Sequence, residues 1–188
     1  MLEIKNLRFS YGEKNIIDNF SLTVPDGKCV CLTGASGCGK TTVLRLVAGL
    51  ETPESGTVSA PKKLSVVFQE DRLVPHMSII KNIMLCLPKD RKTFAEALLK
   101  EAGLEETRNK KPDELSGGMK RRAAIMRAIA FGGDALLLDE PFNGLDSETK
   151  SVMSSMIKRE FTEKNKPVLM VSHIAEDAEL MNSEKIEM

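Results

Sequence analysis

Short apolar runs alternate with longer amphipathic segments over most of the chain. The segments KTTVLRLVAGL and SETKSVMSSMIKREF carry apolar residues at helical spacing. The apolar runs are continuous and short, as in buried strands, and they are KCVCLTG, KLSVVFQ, DALLLDE and KPVLMVSH. Such strands, separated by helices, are typical of a mainly parallel sheet covered on both faces. Near the N-terminus, LEIKNLRFSY and SLTV predict antiparallel strands. The predicted fold class is therefore α/β, with a mainly parallel sheet core and N-terminal antiparallel strands.

The interval 70–115 has a different character. It contains SIIKNIML and KTFAEALLKEAGL, which are helical in pattern, and it offers no strand candidate. We interpret it as a helical subdomain inserted into a single domain that spans 1–188, with a core built from 1–69 and 116–188. The turn-rich segment ETPESGTVSAPKK before it holds a short strand at most.

Composition narrows the function classes. The 188 residues carry 27 Lys plus Arg against 27 Asp plus Glu, so no basic excess indicates nucleic acid as a partner. No apolar run approaches the about 20 residues that span a bilayer, and the N-terminus lacks the layout of a signal peptide. The four cysteines have no CxxC spacing, which predicts free thiols in the cytosol. Cys29 and Cys31 alternate along a predicted strand as packing residues, whereas Cys38 lies in a glycine-rich loop and Cys86 lies in the helical interval.

That loop, GASGCGKT, matches G-x-x-x-x-G-K-[ST] between a predicted strand and a predicted helix. Its glycines let backbone N–H groups surround phosphate oxygens, and the helix N-terminus favours the anion. Lys40 is expected to reach the β and γ phosphates, and the Thr41 hydroxyl to ligate Mg²⁺. The motif predicts a P-loop NTPase, and the nucleotide-binding residues it implies are Gly34, Ser36, Gly37, Cys38, Gly39, Lys40, Thr41 and Thr42.

Two carboxylates follow the apolar run ALLL, at the strand end where open α/β sheets place their ligands. Asp139 is the expected partner of Mg²⁺. Glu140 is placed to polarise or orient the water that attacks the γ-phosphate. In isolation an Asp-Glu pair at a strand end is also typical of an ordinary solvated turn. A P-loop kinase would have the first loop but no need of this glutamate.

A second candidate phosphate site is LSGGMKRR, where Ser116, Gly117 and Gly118 precede a helix. The serine can donate a hydrogen bond, the glycines allow close approach, and the helix dipole favours an anion. Alone, this string is equally compatible with a capped helix start.

Together these motifs resemble the ATP-binding-cassette ATPase family over nearly the whole chain. LSGGM is similar to the family's signature LSGGQ, which grips the γ-phosphate of an ATP held by the other subunit of a head-to-tail pair. Met119 departs from the usual Gln. The resemblance also implies roles for Tyr11 in stacking on adenine, Gln69 in contacting Mg²⁺ and the attacking water, Asp146 in signalling across the dimer, and His173 in bonding the γ-phosphate. Ile174 departs from the frequent Asp. Arg122 and Arg127 match basic positions of the family's signature helix. At these positions we expect structural salt bridges at least as often as ligand contacts.

The resemblance implies an ATPase subunit of a membrane transporter, similar to the importers for nitrate, sulfonates, taurine and thiamine precursors. Its implied partners are a second cassette, integral-membrane permease subunits and an extracytoplasmic substrate-binding protein, at the cytoplasmic face of the cell membrane. The residues of the apolar segment after Gln69 would divide between two roles. Ile80, Ile83 and Met84 would form a small core of the helical subdomain, and Leu73, Val74 and Met77 would lie nearer the permease. Because the chain ends soon after His173, regulation by a C-terminal domain is not expected. A soluble cassette protein, an exporter and a non-hydrolysing module remain alternatives.

Overall fold

The computed structural model of the protein describes residues 1–85, 87–88 and 91–188. Its strands are β1 (Leu2–Tyr11), β2 (Lys14–Val24), β3 (Cys29–Thr33), β4 (Ser55–Ser59), β5 (Leu64–Val67), β6 (Ala135–Asp139), β7 (Val168–Val171) and β8 (Glu184–Glu187). Its α-helices are α1 (Lys40–Val47), α2 (Ile79–Met84), α3 (Lys92–Glu101), α4 (Gly117–Phe131), α5 (Ser147–Glu160) and α6 (Ala175–Leu180). Within the described residues, short 3₁₀ turns lie at Glu105–Thr107, Pro112–Glu114 and Thr162–Lys164.

The strands form two sheets. A parallel sheet has the order β5-β6-β7-β3-β8, and an antiparallel sheet has the order β2-β1-β4. Leu32 of β3 and Asp139 of β6 both pair with Val171 of β7, so the carboxyl ends of these three strands lie side by side. The predicted parallel core and antiparallel N-terminal strands are confirmed.

Alternate residues of the parallel strands enter two separate cores. Cys29 and Cys31 pack with α4 and α5, whereas Val30 and Leu32 pack with the antiparallel sheet and α1. Both cysteines are buried, which confirms their predicted packing role. A strand buried on both faces is continuously apolar, and this explains the unbroken runs in the sequence.

The region between β5 and α4 is helical, as predicted. Helices α2 and α3 pack on α4, and Ile80 and Ile83 of α2 are buried in their shared core. Asn82 of α2 is fully buried, and its side-chain amide binds the backbone of the loop before the helix. It accepts from Val74 N–H at 2.7 Å and donates to the carbonyls of Val74 and Met77 at 3.2 and 3.1 Å.

Three elements differ from the sequence-based expectation. Strand β2 extends back from SLTV to Lys14, with irregular pairing to β1. The C-terminal segment adds α6 and the edge strand β8, neither of which the sequence predicted. The predicted free thiol of Cys86 lies outside the described residues. No helix in the described part of the chain is both long and apolar enough to cross a membrane.

Replacing Asn82 by alanine should lower the free energy of unfolding by about 2 kcal/mol, because the Val74 N–H and the Met77 carbonyl would lose the partner that the amide provides. Urea denaturation monitored by circular dichroism measures this change. Asn109→Ala, at an exposed turn, is the matched control and should change stability by less than about 0.5 kcal/mol. Equal effects of the two substitutions would contradict the structural role of Asn82.

Candidate functional site

The glycine-rich loop joins β3 to α1, in the predicted context. Gly34 has a φ of 135°, and a Cβ there would lie 2.6 Å from the carbonyl oxygen of Met188. Gly37 has a φ of 81° and open space beside it. A side chain would strain the backbone at either position, so both glycines are required by the turn itself. The glycine conformations therefore shape the turn that leads into the N-terminus of α1.

The side chain of Lys40 lies along the inside of this loop. Its Nζ donates to the carbonyl oxygens of Gly34 and Ala35 at 2.9 and 2.8 Å, and lies 3.6 Å from the sulfur of Cys38. Lys40 is only 7% exposed, so its ammonium group is held against the inner side of the loop. Cys38, half-buried, is close enough for a reagent on its sulfur to obstruct that position.

A cleft of about 580 Å³ opens over the loop. Its lining includes most of the predicted site, and the predicted residues on it are Ser36, Gly37, Gly39, Lys40, Thr41, Thr42, Gln69, Glu140 and His173. Ile16 of β2 and Val171 of β7 also line it, and the motifs gave no signal for either because their contribution is apolar surface. The structure thus brings the first phosphate loop, Glu140 after β6 and His173, two residues after β7, together in one cleft.

Asp139 ends β6 behind the loop. The Thr41 hydroxyl donates to its Oδ1 at 3.2 Å, which links the start of α1 to the central strand. Burial raises the pKa of the Asp139 carboxyl, and the hydrogen bond from Thr41 opposes the rise. A cation beside this buried carboxylate would favour its ionised form.

Glu140 turns from the strand into the cleft. Its φ of 51° lies in the left-handed region, which is uncommon outside glycine, and its N–H donates to the carbonyl of Val171 at 2.9 Å. Oε1 lies 2.8 Å from Nδ1 of His173, whereas the buried Oε2 has no hydrogen-bond partner among the described residues. In this contact the carboxylate oxygen accepts and Nδ1 donates, which leaves Oε2 as a buried acceptor.

The loop after His173 compensates for Ile174. Ser172 Oγ accepts from the Ile174 N–H at 3.1 Å and donates to Asp177 at 2.9 Å. Asp177 is 1% exposed and pairs with Lys150 at 2.8 Å. The His173 turn is therefore fixed by Ser172 and Asp177, without an acidic residue at 174.

The second predicted phosphate site lies elsewhere. Ser116 caps α4 by accepting from the Met119 N–H at 3.3 Å, and neither it nor Gly117 nor Gly118 lines the cleft. A Cβ on Gly118 would lie 3.3 Å from the carbonyl of Gly144, so this helix start adjoins the loop that leads to Asp146. Ser116 and Gly117 are exposed. One chain thus presents, at separate places, the two surfaces that the sequence predicts to bind phosphate, the phosphate-type surfaces.

Asp146 and Met119 have clear local roles. The Asp146 carboxylate caps α5 by accepting the Thr149 N–H at 2.8 Å, and this bond lowers the pKa of Asp146. The Met119 side chain packs on the core shared by α2, α3 and α4, which accounts for an apolar residue at this position.

Tyr11 does not line the cleft. Its ring meets the edge of Phe9 with centroids 4.8 Å apart, and its hydroxyl donates to Glu51 at 3.1 Å. The ring remains 46% exposed, which is compatible with the predicted stacking face.

The basic residues of α4 bind backbone carbonyls. Arg122 donates to Ala102 at 2.7 Å, and Arg127 donates to Asp71 and Arg72 at 3.0 and 2.7 Å. Arg121, which the sequence did not single out, donates to Phe68 and Gln69. These partners are main-chain oxygens, which no sequence motif reveals.

The fold and the cleft together define a P-loop NTPase. A family model described as ABC transporter matches residues 17–143. A relative from Paraburkholderia xenovorans (strain LB400), the aliphatic sulfonates import ATP-binding protein SsuB 1, is 38% identical over 94% of this chain and 54% of its own length. The protein of the same name from Shouchella clausii (strain KSM-K16) is 36% identical over 94% of this chain and 72% of its own length. The chain thus spans about half the length of the first relative.

Among solved structures, the ATP-binding cassette MJ0796, in a dimeric post-hydrolysis state bound to ADP and Pi, matches with a TM-score of 0.90 and 29% identity. The match covers 100% of this chain and 94% of that one. The chain therefore belongs to the ABC transporter family and forms its ATP-binding cassette.

In a Cys86→Ser background, a thiol reagent at neutral pH should modify Cys38 of the folded chain and spare Cys29 and Cys31. Burial raises the pKa of both thiols, that of Cys31 to about 11, so they stay protonated and unreactive. ATP should slow the modification of Cys38. Mass spectrometry of timed samples measures the rates, with Cys38→Ser as control. Labelling of Cys31 as fast as Cys38, or no protection by ATP, would contradict this geometry.

Proposed function

We propose that the chain is the ATP-hydrolysing subunit of a membrane importer, and that two cassettes close on ATP, hydrolyse it and reopen to drive a partner permease. The observation that carries the ATPase part is the Glu140 carboxylate, which lines the cleft over the phosphate loop and whose Oε1 is held by His173. The names of the curated relatives, both import ATP-binding proteins, support import as the direction.

The residues of the cleft divide the chemistry among them. The backbone of the phosphate loop and Lys40 bind the β and γ phosphates. Glu140 accepts a hydrogen bond from the attacking water and aligns it, while His173 holds Oε1 and so fixes the carboxylate. Closure excludes bulk water and strengthens these interactions. On this proposal Gln69 contacts the same water from the opposite loop.

The donor set of the cleft fits Mg²⁺. Among the described residues no cluster of three His, Cys, Asp or Glu side chains could hold a metal alone. Mg²⁺ needs no such cluster, because it keeps waters and binds through one or two protein oxygens plus substrate phosphates. Thr41, Asp139 and Gln69 would hold the ion with the nucleotide, and it would neutralise charge on the phosphates.

The surface at Ser116, Gly117 and Gly118 completes the site of a second copy. It is exposed and outside the cleft, so it cannot serve the nucleotide of its own chain in this arrangement. In a head-to-tail pair each ATP would touch Lys40 of one chain and Ser116 of the other, with Asp146 beside that junction. Hydrolysis removes the bridging phosphate and lets the pair open.

The permease would dock on the segment after Gln69. Val74 and Met77 are only half-buried, whereas Ile80 and Ile83 belong to the core of the helical region. Leu73 and Met84 are half-buried and pack against that core. This division supports the predicted sharing of the segment, with the cassette at the cytoplasmic face of the membrane. An extracytoplasmic binding protein would complete the importer.

Glu140→Gln should lower ATP turnover by at least about a hundredfold, because the amide replaces the acceptor that aligns the water, while ATP binding persists. Wild-type specific activity should rise with protein concentration over the range where the dimer forms. Steady-state phosphate release and nucleotide-binding titration measure both properties. Glu184→Gln, on the exposed edge strand β8, is the matched control and should leave turnover unchanged.

Two results would contradict the proposal. Equal specific activity in dilute and concentrated protein would contradict a site that is shared between two copies in a dimer. The ATP-bound Glu140→Gln variant can also be used to capture partners from solubilised membranes. If it captured only soluble proteins and no integral-membrane protein, the proposed role in a transporter would be contradicted.

A further inference from the structure

The loop that carries Gln69 follows β5 and is bound by a side chain of α4. Beyond the end of β5, Phe68 and Gln69 both direct their carbonyl oxygens to the guanidinium of Arg121, the first at 2.7 Å. Arg121 Nε lies 3.3 Å from Asp71 Oδ1 of the same loop. A single side chain therefore contacts three positions of the loop.

The side chain of Arg121 is buried and not part of the exposed surface. It is 7% exposed, and Asp71 has a half-buried carboxylate whose pKa is raised by burial, against the opposing charge of Arg121. A buried guanidinium requires hydrogen-bond partners, and here the loop backbone supplies two of them. The planar fork of an arginine suits two adjacent carbonyls in a way that the single ammonium of a lysine does not.

The position of Arg121 on α4 places this contact between the start of the helix and the cleft. It lies close behind Ser116, Gly117 and Gly118, at the end of the helix proposed to meet the nucleotide of the second copy. The other end of the link, Gln69, lines the cleft of its own chain. The guanidinium is thus a short physical connection between the two phosphate-type surfaces of one chain.

We propose that Arg121 is a positioning residue that holds Gln69 in the cleft and makes that position depend on the start of α4. When the start of α4 moves on engaging the second nucleotide, the loop carrying Gln69 moves with it. Each chain then senses one nucleotide at α4 and adjusts hydrolysis of the other in its own cleft. The inference rests on the proposed ATPase function for its kinetic consequence, but not for the contact itself.

Arg121→Gln should lower kcat for ATP by about tenfold to a hundredfold, because a displaced Gln69 no longer contacts the water. The KM for ATP should change by less than about threefold, since the phosphate loop is untouched. In a Gln69→Ala background, Arg121→Gln should reduce kcat by less than about twofold, because its effect passes through Gln69. Additive losses in the double variant would overturn the proposal.

The matched control is Arg159→Gln. Arg159 of α5 donates to both carboxylate oxygens of Glu101 of α3, at 2.7 and 2.9 Å, and so also joins the core to the helical region without touching the Gln69 loop. Its kcat should equal that of wild type. Asp71→Asn removes the ion pair but leaves the two carbonyl contacts, and should retain most of kcat. Should Arg121→Gln not fold, Arg121→Lys replaces it, with an intermediate loss of kcat expected.

A readout independent of activity separates this proposal from the ATPase function. A spin label at Glu70→Cys, with Cys38 and Cys86 replaced by serine, reports loop mobility at a side chain that is 86% exposed. Arg121→Gln should increase that mobility and Arg159→Gln should not. Unchanged label mobility in Arg121→Gln would overturn the proposal, even if the wild-type protein hydrolyses ATP. If mobility increased but the wild-type protein did not hydrolyse ATP, only the proposed ATPase function would be refuted.

Discussion

Parallel pairing of β3, β7 and β6 is the constraint on which the site depends. Because Leu32 and Asp139 share the partner Val171, the three strands end at one level, and the chain leaves each of them into the same cleft. The phosphate loop follows β3, Asp139 ends β6 with Glu140 directly after it, and His173 follows β7. The hydrogen bond from Thr41 to Asp139 joins the first two of these segments directly.

The same constraint explains why one chain carries two phosphate-type surfaces. Ser116 starts a helix that packs on α2 and α3, to one side of the parallel sheet, so it cannot face the cleft at the strand ends. Arginines of α4 then fasten the loop after β5 to that helix, through main-chain oxygens. The fold thus separates the two surfaces and connects them mechanically.

Local motifs predicted most of this arrangement. Lys40, Thr41, Asp139 and Glu140 follow from short patterns beside buried strands, and the structure places all four around one cleft or just behind it. Strand β8 and helix α6 escaped prediction because EKIE and AEDAEL are short and polar. Arg121 escaped because its partners are backbone carbonyls, which every sequence offers equally. Sequence patterns reveal side chains that share a motif, whereas contacts to the backbone depend on the assembled fold.

Mixing two inactive variants tests the shared site most directly. A Lys40→Ala chain lacks the phosphate loop's cation, and a Ser116→Arg chain lacks a usable helix start, so neither should hydrolyse ATP alone. In a mixed pair one site combines the intact loop of one chain with the intact helix start of the other, and equal mixing should restore up to about a quarter of wild-type activity. No recovery on mixing, or full activity of the Ser116→Arg chain alone, would contradict a site shared between two copies.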